Sequence, residues 1–555
     1  MKKFNYLLLS LLLIQGAYAN LVISGNVTLE DQIDDGTHEG VTVSIINNLT
    51  QEEIGTTLSN EDGDYLIAIP PGLYLVKMTL EGYVPYTSQE IALLANDIEM
   101  DPVILIPGSV MEVSGEVSGQ WTTSNEFWVV DDITVPEGET LTIDAGVRVI
   151  FFADKGLVSN GTLEINGTED NRVVFTSKSP SPLPGDWDNL ELYGENNIIT
   201  YLTYEYAADG ISGENASNTT IDHLYMVGNL SLTANGIYLP YSPNSSFTNN
   251  EISISGTYAI HAPYSPNSVF NNNHINNSNS YGISCDQSEN SIINDNIIND
   301  INYRGIQSYN CDNCEINNNS ISSYQGYDIG ILTNDSDSLS ITNNIITTDG
   351  NTVWACIELQ NGSYAFIDNN SLNQFTEYGL YLHSSEYSIV TNNNIVSEYT
   401  NNSWMMGIRN NGENLYSTIQ NNYIKISQNG CSNSGIHIYA IESNESIITN
   451  NYIEMDNGDV CGHTFGIVGR GEISNNEIYV RDIRYSYGEG FGIIAYGNGP
   501  EQNRVENNVL TLTNATKGIR VYNGIISNNE LIGIDNSETA FEVINENGVT
   551  SSTFS

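Results

Sequence analysis

The stretch "SIITNNYIEM", residues 446–455, decides the fold. Alone it reads as a strand interrupted by two asparagines. The phrase returns as "SSFTNNEISI" (245–254), "CEINNNSISS" (314–323), "LSITNNIITT" (339–348) and "GEISNNEIYV" (471–480). Two places after the second Asn stands an apolar anchor. The anchors are Ile252, Ile275, Ile298, Ile321, Ile346, Leu372, Ile395, Ile424, Ile453, Ile478, Leu510 and Leu531. The position two before each anchor is always Asn, and the position three before is Asn except at Asp295. Asn196-Asn197 ahead of Ile199 is an earlier copy.

A second mark shares the period: Gly followed by Ile or Leu. It stands at Gly210, Gly236, Gly282, Gly305, Gly330, Gly379, Gly407, Gly435, Gly466, Gly492 and Gly518, with Ala259-Ile260 and Cys356-Ile357 filling the gaps. Two interleaved marks on a period of about 25 residues define a solenoid. Its segments are short, alternate, and favour Ile, Val, Thr and Tyr, so each unit is built of strands. One unit parses as "GIHIY", loop, "SIIT", "NN", "YIEM", loop, which is three strands per turn.

A three-stranded coil with a tight asparagine corner resembles the right-handed parallel β-helix of pectate-lyase-like proteins, over the chain from about residue 115 onward. The resemblance implies an all-β solenoid and leaves the activity open. One coil cannot bury its own apolar face, so stacking must do it. Asn suits the corner because it tolerates left-handed backbone angles and bonds to its copy one coil away. "ITVPEGETLTIDAGVRVIFFADKGLVSNGTLEINGTEDNRVVFTS" (133–177) and "PGDWDNLEL" (184–192) read as earlier, irregular coils. The division expected is 107–195 for linker and first coils, and 196–555 for the regular repeat.

The ends differ from the repeat. Lys2 and Lys3, an apolar run from Tyr6 to Ile14, and Ala17-Tyr18-Ala19 form a secretory signal peptide, residues 1–19. No other stretch has the apolar length of a transmembrane helix. An exported protein, extracellular, surface-held or periplasmic, is expected. "INENGVTSSTFS" (544–555) shows no evident cap for an open β edge. The formal net charge is −52, which repels phosphate backbones and excludes nucleic acid as a partner. A monomer is expected.

Residues 20–106 lack the repeat. Their short alternating strands, separated by Gly, Pro and Asp turns, read as a small β-sandwich. Ser24-Gly25-Asn26-Val27, "TLSNEDGDY" (57–65), Pro71-Gly72-Leu73-Tyr74 and Gly82-Tyr83 resemble the carboxypeptidase-regulatory-like, transthyretin-like domains. That resemblance implies a non-catalytic accessory module and carries over no binding residue.

The register sorts the Gly-Ile strand into inward and outward positions. Residues two and four after the Gly point out. Coils from Glu358 to Arg470 then present Glu358, Tyr381, His383, Arg409, His437, Tyr439 and Arg470. With coils about 4.8 Å apart, these form one patch. Such a row suits polysaccharide: Tyr and His faces stack on sugar rings, and Arg pairs bidentately with a uronate carboxylate. If the patch is catalytic, Arg409 or Arg470 neutralises the carboxylate, and His383, His437 or a Tyr abstracts the adjacent proton. That is a lyase or epimerase reading. The third reading is a structural or adhesive surface protein, since any outward strand row must be polar.

Other motifs carry less. Ile221-Asp222-His223 resembles a pectate-lyase phrase but falls at the corner. Asp62-Gly63-Asp64 and Asp335/Asp337 offer oxygens for Ca²⁺, yet Gly and Asp also serve turns for backbone reasons. Cys311-x-x-Cys314 is half a zinc site without its other half, so no metal site is assigned. Cys431 and Cys461 precede successive Gly marks by similar distances, and a disulfide is expected between them. The pairing of Cys285, Cys311, Cys314 and Cys356 stays open.

Overall fold

The computed structural model describes residues 20–544 apart from 33–35, 230–233, 255, 277–280, 324–328, 349–353, 400–404, 413–415, 429–436, 458–462, 483–489, 497–502, 514–516 and 534–538. The signal peptide, the terminal residues 545–555 and the Cys431/Cys461 pair lie outside the described residues. Two compact units are present. The first runs to Glu112 and takes in Thr123–Trp128 and Lys178–Pro182; the second comprises Val113–Thr122, Val129–Ser177 and Leu183 onward.

The second unit is a parallel β-helix. Most strands pair in parallel with the strand three further along the chain, and where His437–Thr449 and His463–Ser474 run through a corner the offset is two, so three sheets run the length of the stack. Typical vertical pairs are Phe247↔Phe270, Ile275↔Ile298 and Ile283↔Ile306. A representative coil consists of Tyr281–Ser284, Ile292–Asn294 and Ile297–Ile301. Its inward residues Ile283, Ile293 and Ile298 have no exposed surface. Each fully buried Ile contributes roughly 1.5–3 kcal/mol, and only the coils above and below make that burial complete. This pairing is already established at Thr140–Asp144 with Thr162–Asn166, well before residue 196.

The two asparagines of the repeat divide the work. The first turns the corner: Asn249, Asn272, Asn318, Asn343 and Asn369 all have φ between 54° and 57°. The second points inward and is buried, 0–1% exposed from Asn250 to Asn508. Asn319 shows the pattern. Its Oδ1 accepts from the backbone N–H of Asn296 (3.0 Å) and from Asn296 Nδ2 (2.9 Å). Its Nδ2 donates to Ile293 O (2.9 Å) and to Asn344 Oδ1 (3.0 Å). Every polar group of the buried amide is satisfied. The row continues rung by rung from Asn250 to Asn529.

The Gly mark has a steric cause. A Cβ on Gly305 would stand 2.6 Å from Gly330 O and 2.6 Å from Ile321 Cγ2. The two sequence marks, Gly and anchor, therefore press on each other across the coil interior.

In the first unit, Leu21–Leu29 pairs with Asp64–Ile69, Ile98–Glu99 and Val103–Leu105. Thr42–Asn47 pairs with Glu53–Leu58 and Gly72–Thr79. Ile23, Val27 and Ile67 from one sheet share a core with Val43, Val76 and Met78 from the other. Asp62-Gly63-Asp64 is a turn. Gly63 has φ 83°, and a Cβ there would meet Val27 O at 2.1 Å. The Asp64 N–H donates to Asn60 Oδ1 at 2.7 Å. At the second Ca²⁺ candidate, Asp335 is a corner residue with φ 49°, and Asp337 accepts from the Ser363 N–H.

Cys311 and Cys314 form a disulfide, with Cα atoms 5.8 Å apart, which removes them from any zinc half-site. Cys285 and Cys356 are free and buried.

Candidate functional site

The Gly-Ile strands stack as one sheet, and its outward surface carries the candidate residues. The strands concerned are Ala355–Gln360, Tyr378–His383, Met405–Asn411, His437–Thr449 and His463–Ser474. Their register sets Glu358 beside Tyr381, Tyr381 beside Arg409, and Gln360 beside His383. Glu358, Tyr381, His383 and Arg409 are thus brought together on three successive coils.

The next coil departs from the expected register. Ile408 pairs with Ile441, and Arg409 with Glu442. Ala440-Ile441 is the mark here, not Gly435-Ile436. Ala fills the Gly slot as it does at Ala259, so the first Gly-Ile met in the sequence is not the one in register. His437 is consequently displaced from the row and stands opposite His463. Tyr439 falls one row earlier, opposite Met406 and Phe465. It packs against a buried cluster of Ala355, Tyr378, Tyr381 and Met406. Arg470 keeps its outward place, paired with Glu445 at 3.0 Å. For the pectate-lyase-like phrase, His223 takes the left-handed corner position (φ 53°) and Asp222 ends the strand before it.

Arg409 is the centre of the site. Nη1 donates to Tyr378 OH at 2.8 Å. The guanidinium lies 5.7 Å from the Tyr378 ring and 5.4 Å from the Tyr381 ring, which stack on each other at 4.7 Å. Nε stands 3.1 Å from Glu442 Oε2. That contact is charge on charge, since neither atom has an aligned hydrogen-bond partner. Burial opposes the Arg409 charge, but Glu442 and the two tyrosines outweigh it and move its pKa upward.

Burial decides which groups a ligand can reach. Glu358 is 4% and Tyr381 9% exposed, whereas His383 is exposed. Burial raises the Glu358 pKa against the hydrogen bond from Gln360 Nε2 (2.6 Å). Tyr381 OH and His383 Nδ1 are 3.2 Å apart. A proton can pass between them. Burial, then Glu442, pushes Tyr439 up to about 12. Glu442 was missed in the sequence. The signal was present, because Ala-Ile had already served as a mark at Ala259-Ile260.

Two family descriptions match the chain. "Pectate-lyase like beta helix domain" matches residues 115–208, and "Periplasmic copper-binding protein (NosD)" matches residues 166–353. Both agree with the parallel β-helix seen in the structure. No curated protein matches. Among solved structures, a type II cohesin–X–dockerin complex from Acetivibrio cellulolyticus aligns at 20% identity over 16% of this chain, with TM-score 0.13. The chain spans 58% of that matched chain. The periplasmic alginate epimerase AlgG aligns at 14% identity over 74% of this chain and 77% of its own, TM-score 0.28. An alginate lyase from Paenibacillus sp. aligns at 13% identity over 52% and 91%, TM-score 0.23.

Among the described residues, the copper named in the second family description finds no fitting ligand set. Across residues 166–353, Cys311 and Cys314 are joined to each other, and His223 is held by Asp222 at 2.7 Å. His261 is stacked on Tyr258. Among the described residues, no three His, Cys, Asp or Glu side chains are placed to hold a metal ion. Likewise, no described helix is long and apolar enough to cross a membrane.

Proposed function

We propose that the chain is an exported β-helix protein that binds polysaccharide through the outward face of its Gly-Ile sheet. The observation that carries this reading is the Tyr381–His383–Arg409 group. His383 and Arg409, suited to saccharide contact, sit on adjacent coils against the nearly buried Tyr381, in a chain with 68 acidic and only 16 basic residues. His383 offers an exposed ring and Arg409 a guanidinium on the same surface. The small N-terminal unit fits the role of an accessory module, as its resemblance to carboxypeptidase-regulatory-like domains implies.

A second reading, a lyase or epimerase on an acidic glycan, is favoured by one contact. The 3.2 Å approach of Tyr381 OH to His383 Nδ1 couples two groups able to move a proton. A non-catalytic adhesive or structural role is the third.

Purified protein on a glycan panel, scored for retention and for new unsaturated ends, separates the readings. Retention without product supports binding, product supports the second reading, and neither supports the third. His383→Ala with Arg409→Ala should abolish retention; unchanged retention overturns this site.

A further inference from the structure

Arg304 shares with Arg172 the lack of a carboxylate within ion-pair distance among the described residues, but Arg172 is held by the backbone carbonyls of Leu202 and His223. Arg304 opens the strand Arg304–Tyr309 on the same Gly-Ile sheet, beside Tyr281 of the preceding coil. Arg409, Arg470, Arg481, Arg504 and Arg520 each have a carboxylate within ion-pair distance. Among the described residues, none lies that close to Arg304.

Neutral groups hold Arg304 instead. Nη1 donates to Tyr309 OH (2.7 Å) and to Gln307 Oε1, and Nη2 donates to Tyr303 OH (3.3 Å). The Tyr303 ring is 4.6 Å away and the Tyr281 ring 5.6 Å. Nε is enclosed without an acceptor. Asp286, on the preceding coil, is engaged by Gln307, whose Nε2 donates to Asp286 Oδ2 at 2.9 Å. Asp286 also accepts from Ser284 Oγ and from the Tyr309 N–H. Its lone pairs are engaged, and the Gln307 amide is held in one orientation from both sides.

We propose that Arg304, Tyr303 and Tyr309 form an anion subsite that takes the carboxylate of an acidic saccharide. The inference rests on the polysaccharide reading above and names the substrate class. A half-buried guanidinium with no carboxylate in ion-pair contact is costly to keep, and a planar carboxylate matches its fork. Both phenols accept from Arg304, so each has its own O–H free to donate to the same anion. Tyr303 is exposed, which leaves the pocket open to a chain. At Arg409, by contrast, Glu442 already supplies the negative charge. Carboxylate recognition therefore falls on Arg304, and the Arg409 group contacts uncharged parts of the sugar.

The test is affinity for polygalacturonate, alginate and a neutral glucan, measured by titration calorimetry at low salt. Arg304→Gln should lower affinity for the two acidic chains at least tenfold and leave the glucan unchanged. Tyr309→Phe, which keeps the guanidinium, should lose affinity severalfold and covers the case in which Arg304→Gln fails to fold. Wild-type affinity for the acidic chains in a folded Arg304→Gln protein overturns the subsite. A wild-type protein that holds glucan but neither acidic chain overturns it while leaving the polysaccharide reading intact. A wild-type protein that holds none removes both.

Discussion

A Cβ placed on Gly330 would stand 2.6 Å from Ile346 Cγ2 and 2.6 Å from the Cys356 carbonyl oxygen of the next coil. The first atom belongs to a branched, close-packed anchor, and the second belongs to backbone. Gly330→Ala should therefore lower stability by about 1–3 kcal/mol. Ala259 and Cys356 show that the slot can take a Cβ after adjustment, which favours the lower part of that range. Urea unfolding with unchanged slope and an earlier midpoint is the expected result.

The buried and corner asparagines should respond differently. Asn319→Ala leaves the Asn296 backbone N–H without its acceptor and strips one hydrogen bond each from Asn296 Nδ2, Ile293 O and Asn344 Oδ1 inside the core. Each unsatisfied buried group costs roughly 1–3 kcal/mol, so the loss is several kcal/mol. Asn318→Gly removes only an exposed bond to Asp295 and keeps the left-handed corner easy to form. Its effect should stay within about 1 kcal/mol. Equal effects for the two variants would contradict the division of roles.

Glu442 restrains Arg409. On the proposed binding reading, Glu442→Gln frees that cation and should raise retention of acidic glycan by up to about fivefold, matching the ~1 kcal/mol reach of a partly exposed pair. The gain should fade in high salt. Reduced retention would show instead that Glu442 is needed in place.

His261 provides a pH signature. Burial lowers its pKa to about 4, with its ring stacked 4.1 Å from Tyr258. The unfolded chain takes up the proton near pH 6.5, whereas the folded chain does so only near 4. The stability His261 contributes is thus complete above about pH 6.5 and is lost as pH falls toward 4. Asp286 and Glu358, both raised by burial, act in the opposite sense and favour the folded state at lower pH. The His261 share is read as the difference from His261→Gln, whose stability should fall less between pH 7 and 4.5. Parallel curves would rule it out.

Thiol mapping tests the sulfur assignments. Burial pushes Cys285 up to about 12 and raises Cys356 as well. Neither should be alkylated in the folded protein at pH 8, and a non-reducing digest should return Cys311 linked to Cys314. The same digest reports on the expected Cys431–Cys461 bridge.

Much of this architecture is legible in the chain because a solenoid repeats its constraints. The regular coils need a buried amide at Asn319-like positions and a small residue, most often Gly, at Gly330-like ones. Counting from either mark therefore separates interior from surface. The site is less legible for the same reason. The marks fix a strand only when a single candidate stands in range, and "GIHIYAI" holds two. Choosing Gly435 over Ala440 moved His437 into the row and hid Glu442. Arg304 was passed over because its row, one residue before the Gly, was not among those taken as outward. Strand pairing, which depends on contacts between coils, resolves both.

The buried asparagine row has a direction. At every rung the Nδ2 of one coil donates to the Oδ1 of the next toward the C-terminus. Turning one amide over would set two oxygens against each other on one side and two NH₂ groups on the other. No rung can reverse alone, so the row is polarised as a unit, like the protons in a chain of ice. The amide dipoles add along the axis, and the two ends of the stack are electrically unlike before any charged side chain is counted.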